Sequence, residues 1–303
     1  MKFGKFFFHI FFLISVLYPN WDDNIFSSMS SPRNVALGGI HLSSDNLNSM
    51  FDAPINIFDI DEKYHNKNFY FCLSSQTQNI SNTIYFGSSI YIEKDSNLYF
   101  GLVRRLINNN YNTEDSWTDN GNNTPDIGEI DYTDIYLYRD SEIGILLSYN
   151  KKINNNIFNF NIKPIFHKID YYDAFGISFD FNYVGFLDNN QIGFGVKDLL
   201  SIKKWSNSTS EKYKATFYIN YTFFGDNILY SFEYDSSLKF KYGIEYIIEE
   251  LVFLRLGSND SRLSIGLGIK MKFFDIDYSY VNNTFNFGDF NQLGISIKIK
   301  DFK

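Results

Sequence analysis

Cysteine is almost absent from this chain, and the single Cys72 excludes an internal disulfide framework and any four-cysteine zinc site. Histidine is nearly as scarce. His9, His41, His65 and His167 are scattered along 303 residues, which reads as isolated polar side chains and not as a metal-binding set. Positive charge is in deficit: 27 Lys and Arg against 35 Asp and Glu give a net charge of −8, which argues against a nucleic-acid partner. No G-x-S-x-G, G-x-x-x-x-G-K-[ST] or H-E-x-x-H motif occurs, so the chain is expected to be non-enzymatic, with no cofactor and no metal. Long apolar runs are missing too. The longest, Phe6–Leu17, is interrupted by His9 and Ser15 and falls short of the roughly 20 residues of a transmembrane helix.

That run follows Lys2 and Lys5 and ends at Pro19-Asn20, the order of a secretory signal peptide, here residues 1–20. No cysteine follows it closely, which excludes a lipoprotein anchor. Aromatics are abundant, 19% of the chain with 23 Tyr and 33 Phe, more than a soluble core needs and suited to aromatic girdles at two water–lipid interfaces.

Strand periodicity dominates from Phe69 onward. Leu263, Ile265, Leu267, Ile269 and Met271 alternate with Ser264, Gly266, Gly268, Lys270 and Lys272, giving one apolar face and one small or charged face. Phe175, Ile177, Phe179, Phe181 and Tyr183 oppose Gly176, Ser178, Asp180 and Asn182. Tyr213, Ala215, Phe217, Ile219, Tyr221 and Phe223 likewise oppose Lys214, Thr216, Tyr218, Asn220 and Thr222. Roughly fourteen such segments can be counted, too many for an ordinary sandwich and the even number of a bacterial barrel. The expected fold is an all-β transmembrane antiparallel barrel of about 14 strands over residues 67–303, in the bacterial outer membrane and in contact with its lipid. Most connections are short and built on Asn, Asp and Gly. Residues 108–140 form one long acidic connection, expected outside the cell, and Ser201–Glu211 a second loop. Asp119-Asn120-Gly121-Asn122 in the first has a partial calcium-loop spacing without an EF-hand's terminal glutamate, and reads as a solvated acidic loop.

Residues 21–66 lack sustained alternation, and Ser44 or Asp45 could cap a short helix there. The stretch SPRNVALGGIHLSSDNLNSMFDAP resembles the N-terminal signature of the PorV/PorQ outer-membrane proteins, relatives of the FadL-type barrels. Arg33, Gly38, Gly39 and Asp45 carry that match, while Phe51-Asp52-Ala53-Pro54 departs from the aromatic-Asn-Pro-Ala motif in its place. A second block, LRLGSNDSRLSIGLGIKMKFFDIDYSYV, resembles the same family through Arg255, Gly257, Gly266, Gly268, Asp277, Tyr278 and Tyr280. The resemblance implies that the N-terminal segment folds inward as a plug, and that the protein takes part in type IX secretion with secreted cargo or other secretion components as partners. The FadL relationship implies an alternative, transport of a hydrophobic small molecule, and a structural or adhesive surface barrel is a third reading.

The apolar residues Val35, Ala36, Leu37, Ile40 and Leu42 need burial, and a segment that is not a strand cannot take it in lipid, where its backbone groups would go unpaired. Gly38, Gly39 and Arg33 are therefore expected in the lumen, with Arg33 paired to a lumen acid, for which Asp275 and Asp277 are candidates because both project inward. Gly266 and Gly268, on one side of their strand, should allow close approach of another backbone.

Overall fold

The computed structural model describes residues 24–26, 31–42, 51–52, 67–76, 81–93, 95–124, 126–237, 239–259, 262–282 and 289–299. The signal segment, Asp45 and the helix anticipated near it lie outside them. One short helix, α1 (Pro32–Ala36), precedes the strands β1 (Lys67–Gln76), β2 (Ser81–Glu93), β3 (Ser96–Asn112), β4 (Tyr136–Ile153), β5 (Asn156–Ile169), β6 (Tyr172–Leu187) and β7 (Asn190–Trp205). After a two-residue β8 (Ser210–Glu211) come β9 (Thr216–Phe224), β10 (Ile228–Asp235), β11 (Phe240–Ile248), β12 (Val252–Asn259), β13 (Arg262–Lys270), β14 (Phe274–Val281) and β15 (Phe290–Ile299).

Every long strand pairs antiparallel with its neighbours along the chain, and β15 returns to β1 with Phe69 opposite Ile297. The result is a closed transmembrane barrel of fourteen strands, β8 being a short flap on β7. Closure leaves no unpaired edge, the condition for a sheet to cross lipid. The outward rows are apolar and uncovered: Phe71, Leu102, Phe166, Phe175, Ile219 and Leu267 are each about two-fifths or more exposed. The inward rows are polar and buried, with Ser178, Asn182, Thr222, Ser231 and Ser296 wholly covered.

The sequence phase fails at one point. Tyr213 turns inward and is 7% exposed, because β9 begins only at Thr216 and the irregular residues before it break the alternation. Both long connections are also shorter than their composition suggests. β3 and β4 extend past the membrane belt and leave only residues 113–135 as loop, while β7 and β8 absorb most of Ser201–Glu211. Polar sequence does not end a strand whose backbone can still pair.

Hairpins at one end are tight, and Asn154 and Asp188 there take positive φ (55° and 50°), which Asn and Asp tolerate. The other end carries 113–135. By the loop-length asymmetry of bacterial barrels the tight end is expected to face the periplasm. Protease added to intact cells should therefore cut within 113–135 first. Cleavage there only after lysis would reverse this orientation.

Candidate functional site: the lumen and its inner segment

Ser31 caps α1 with its hydroxyl toward the Asn34 N–H, and Pro32 sits at the first helical position, where its missing N–H costs nothing. The helix lasts five residues and ends in a Schellman turn. Gly39 N–H donates to Asn34 O at 2.9 Å, Gly38 N–H to Val35 O at 3.1 Å, and Gly38 takes φ +83°. Ser31-Pro32 is a helix-start signal in the sequence, twelve or more residues ahead of the Ser44 or Asp45 cap expected there.

This helical turn lies inside the barrel against β12, β13, β14 and β15. Gly243 and Gly257 are directly paired across β11 and β12, and Gly257 is paired in turn with Ser264 on β13. A Cβ on Gly257 would stand 2.1 Å from Gly38 N, and one on Gly243 2.6 Å from Leu37 O. A Cβ on Gly266 would meet the Ala36 methyl at 2.4 Å. The wall is flattened by glycine where another backbone lies on it. Ser264 completes the contact, accepting from Gly38 N–H at 3.2 Å and donating to Ala36 O at 3.0 Å. Gly268 serves a different purpose: its missing side chain makes room for the Arg255 guanidinium and the Asp277 carboxylate. Gly39 also has positive φ (+78°) and is half-buried.

Arg33 forms a two-pronged pair with Glu245, Nε to Oε2 at 2.9 Å and Nη2 to Oε1 at 2.8 Å. Glu245 is thus a lumen acid paired with Arg33, and Asp277, one of the two candidates expected from the sequence, also lies within electrostatic reach of Arg33. Glu245 also accepts from Arg255 Nε at 2.6 Å, and Arg255 reaches Asp277 through Nη1. Asp275 instead pairs with Lys298 at 2.8 Å. The reason is register: Glu245 stands directly opposite Arg255, which brings one carboxylate between two guanidinium groups.

A second ionic group holds the end of the segment. His41 donates its backbone N–H to Glu233 Oε2 at 2.8 Å, and its Nδ1 lies 2.7 Å from Glu233 Oε1. Its ring stacks on Tyr218 at 4.4 Å. Lys241 bridges Glu233 (2.9 Å) and Asp235 (3.2 Å). Burial, with the Lys241 ammonium adding to it, pushes His41 down to about 4, and its Nδ1 lies between Glu233 and Lys241 Nζ, the latter at 3.3 Å. A third cluster sits across the lumen. Lys163 pairs with Asp180 (2.6 Å) and Asp198 (2.8 Å), and Asn24 Nδ2 donates to Asp198 at 3.1 Å.

Beside these charges the lumen holds an apolar mass. Ile25, Phe26 and Phe51 of the inner segment pack on Tyr70, Tyr85, Tyr99, Val103, Leu146 and Ile165, all pointing inward. Gly101 and Gly144 lie beneath the rings of Phe51 and Phe26. Leu42 packs on Ile157, Val184 and Tyr218.

In the outer loop, the Asp119 carboxylate accepts from the N–H groups of Gly121, Asn122 and Asn123, and Glu129 accepts from Trp117 Nε1 and the Asn120 N–H. These acids organise the loop backbone. Among the described residues no three His, Cys, Asp or Glu side chains converge as a metal site.

No family model and no curated protein sequence matches the chain. Solved structures do. A crystal structure of the Pseudomonas putida toluene transporter TodX aligns over 90% of this chain and 98% of its own, with TM-score 0.61 at 9% identity. A Pseudomonas aeruginosa FadL homologue aligns over 91% and 99%, with TM-score 0.53 at 10% identity. The fold is that of the FadL-type barrels. FadL-type similarity is thus shown at the level of architecture, and neither alignment supports the PorV/PorQ resemblance.

Proposed function

We propose that this FadL-type barrel is a bacterial outer-membrane transporter that passes hydrophobic small molecules, with no enzymatic step. The observation that carries the reading is the apolar mass inside the lumen. Barrel interiors are ordinarily polar, yet Tyr70, Tyr85, Tyr99, Val103, Leu146 and Ile165 face inward together, under the rings of Phe26 and Phe51. The full-length alignment with a toluene transporter supports the same substrate class.

The wall also has a break suited to lateral exit. The β6–β7 ladder shifts register between Phe179 and Phe181, and Asp198 there takes φ +56°. Asp180 Oδ1 accepts the Asp198 N–H at 2.8 Å, so a side chain stands where the ladder would continue. Leu199 and Leu200 are 42% and 68% exposed at this point, offering an apolar solute a path toward lipid.

Cells carrying the protein should take up toluene and larger apolar solutes faster than cells without it, with no gain for a sugar of similar size. Equal uptake with and without the protein would overturn the reading. The secretion role implied by the PorV/PorQ resemblance, with cargo proteins as partners, rests on the two sequence blocks alone. Secreted proteins recovered bound to the tagged barrel would be the result in its favour.

A further inference from the structure

At the long-loop rim, on the outer surface of the barrel, β3, β4 and β5 form a cleft of about 880 Å³ lined by Arg104, Arg139 and Lys168. All three lie on outward rows. Arg104 continues Leu98, Phe100 and Leu102, Lys168 continues Phe166, and Arg139 belongs to the β4 row that includes Leu147 and Tyr149. Register brings them together around one residue. Ser141 stands opposite Lys168 on one side and Leu106 on the other, with Arg104 and Arg139 each two residues away along their strands.

Their charges are weakly committed. Lys168 lies 3.8 Å from Asp173, and both are about two-thirds exposed. Arg139 donates through Nε to Asn108 at 3.0 Å, and among the described residues no carboxylate pairs with Arg104. Asp170 also lines the cleft and keeps its negative charge, its carboxylate turned to Tyr136 OH (2.7 Å) and Asn112 Nδ2 (3.0 Å), so the three cations still outnumber it. Exposed Tyr171 forms an aromatic lip.

We propose that this cleft binds the phosphate-bearing headgroup of an outer-leaflet lipid, with its acyl chains lying along Leu102, Phe166 and Phe175. The inference rests on the outer-membrane reading, which puts the long-loop rim at the outer leaflet. The physical case is placement. Three cations on a chain of net charge −8 gather on the outward face, directly above an exposed apolar belt. Guanidinium groups meet phosphate oxygens with two parallel bonds, and the belt below buries the chains. A soluble anion would use the cations and leave the belt unused.

The test is a titration of the purified full chain in detergent with bis-phosphorylated lipid A and with the same lipid stripped of phosphate. Near a lipid surface each cation contributes on the order of fivefold in binding, so Arg104→Gln with Lys168→Gln should weaken the phosphorylated lipid about 25-fold. The double variant should also lose the preference over the stripped lipid, whereas Lys272→Gln at the opposite end should change neither. Equal binding of the two lipids by the native protein, or an unchanged double variant, would overturn the proposal. So would displacement by millimolar inorganic phosphate, which would mark an adventitious ion only. Fractionation of the native chain away from the outer membrane would defeat the underlying reading. Correct fractionation without the lipid preference would defeat this inference alone.

Discussion

Replacing Gly257 with valine should expel the Leu37–Gly38 turn from the barrel wall while leaving the barrel closed. A Cβ there would stand 2.1 Å from Gly38 N and 2.3 Å from Leu37 C, both backbone atoms with no rotamer by which to retreat. Overpacking of this kind costs about 3 kcal/mol at the upper end of its usual range, which corresponds to a roughly 150-fold rise in the undocked population. The barrel has less reason to respond, because the clash is with the segment and the β11–β12–β13 ladder runs through the backbone. Val35→Cys, buried in the native protein, should resist a membrane-impermeant thiol reagent in the native background and react in the Gly257→Val background. Asn122→Cys in the outer loop should react in both. Continued protection of position 35 beside Gly257→Val would show that the segment is not held by this contact.

Arg33→Met should be the most destabilising single change in the inner segment. Arg33 and Glu245 are both nearly inaccessible, 5% and 3% exposed at the side chain, and Glu245 is held between Arg33 and Arg255. Arg33→Met leaves two buried acids, Glu245 and Asp277, sharing the single Arg255, and breaking a buried ionic group in this way costs about 3–5 kcal/mol. Arg33→Lys should fall between, since an ammonium cannot reproduce the two-pronged contact. Urea unfolding in detergent gives the comparison. A loss within about 0.5 kcal/mol for Arg33→Met, the range of an ordinary surface substitution, would show that the pair does not hold the segment.

The fourteen strands were legible because the signal is local. Each crossing segment needs one face for lipid and one for the lumen, so alternation is written into every strand, as in Phe175–Tyr183 and Leu263–Met271. Tyr213 escaped because a phase read by counting carries no information about an irregular stretch ahead of Thr216. The extent of β3 and β4 escaped because residues 108–112 of β3 are mostly Asn, yet still pair from Asn110–Tyr138 to Asn112–Tyr136.

The inner segment divides in the same way. Its sequence alone required burial away from lipid, since Val35, Leu37, Ile40 and Leu42 are apolar and their segment has no strand period. Which wall receives it depends on Gly243 and Gly257 coming opposite each other, and which acid receives Arg33 depends on Glu245 coming opposite Arg255. Both are facts of register within the β11–β12 hairpin, set by its turn at residues 249–251, and the closed barrel then turns that face toward the inner segment. The cationic cleft at the rim has the same origin, since Arg104, Arg139 and Lys168 are unrelated in sequence and meet only through two ladders. The sequence by itself therefore determined the architecture, the outward and inward faces and the need for an inner segment, because each follows from side-chain alternation and hydrogen-bond satisfaction within one stretch of chain. Only the tertiary structure decided the partners, because cross-strand neighbours are fixed by the register between strands, which the alternation within a single strand does not encode.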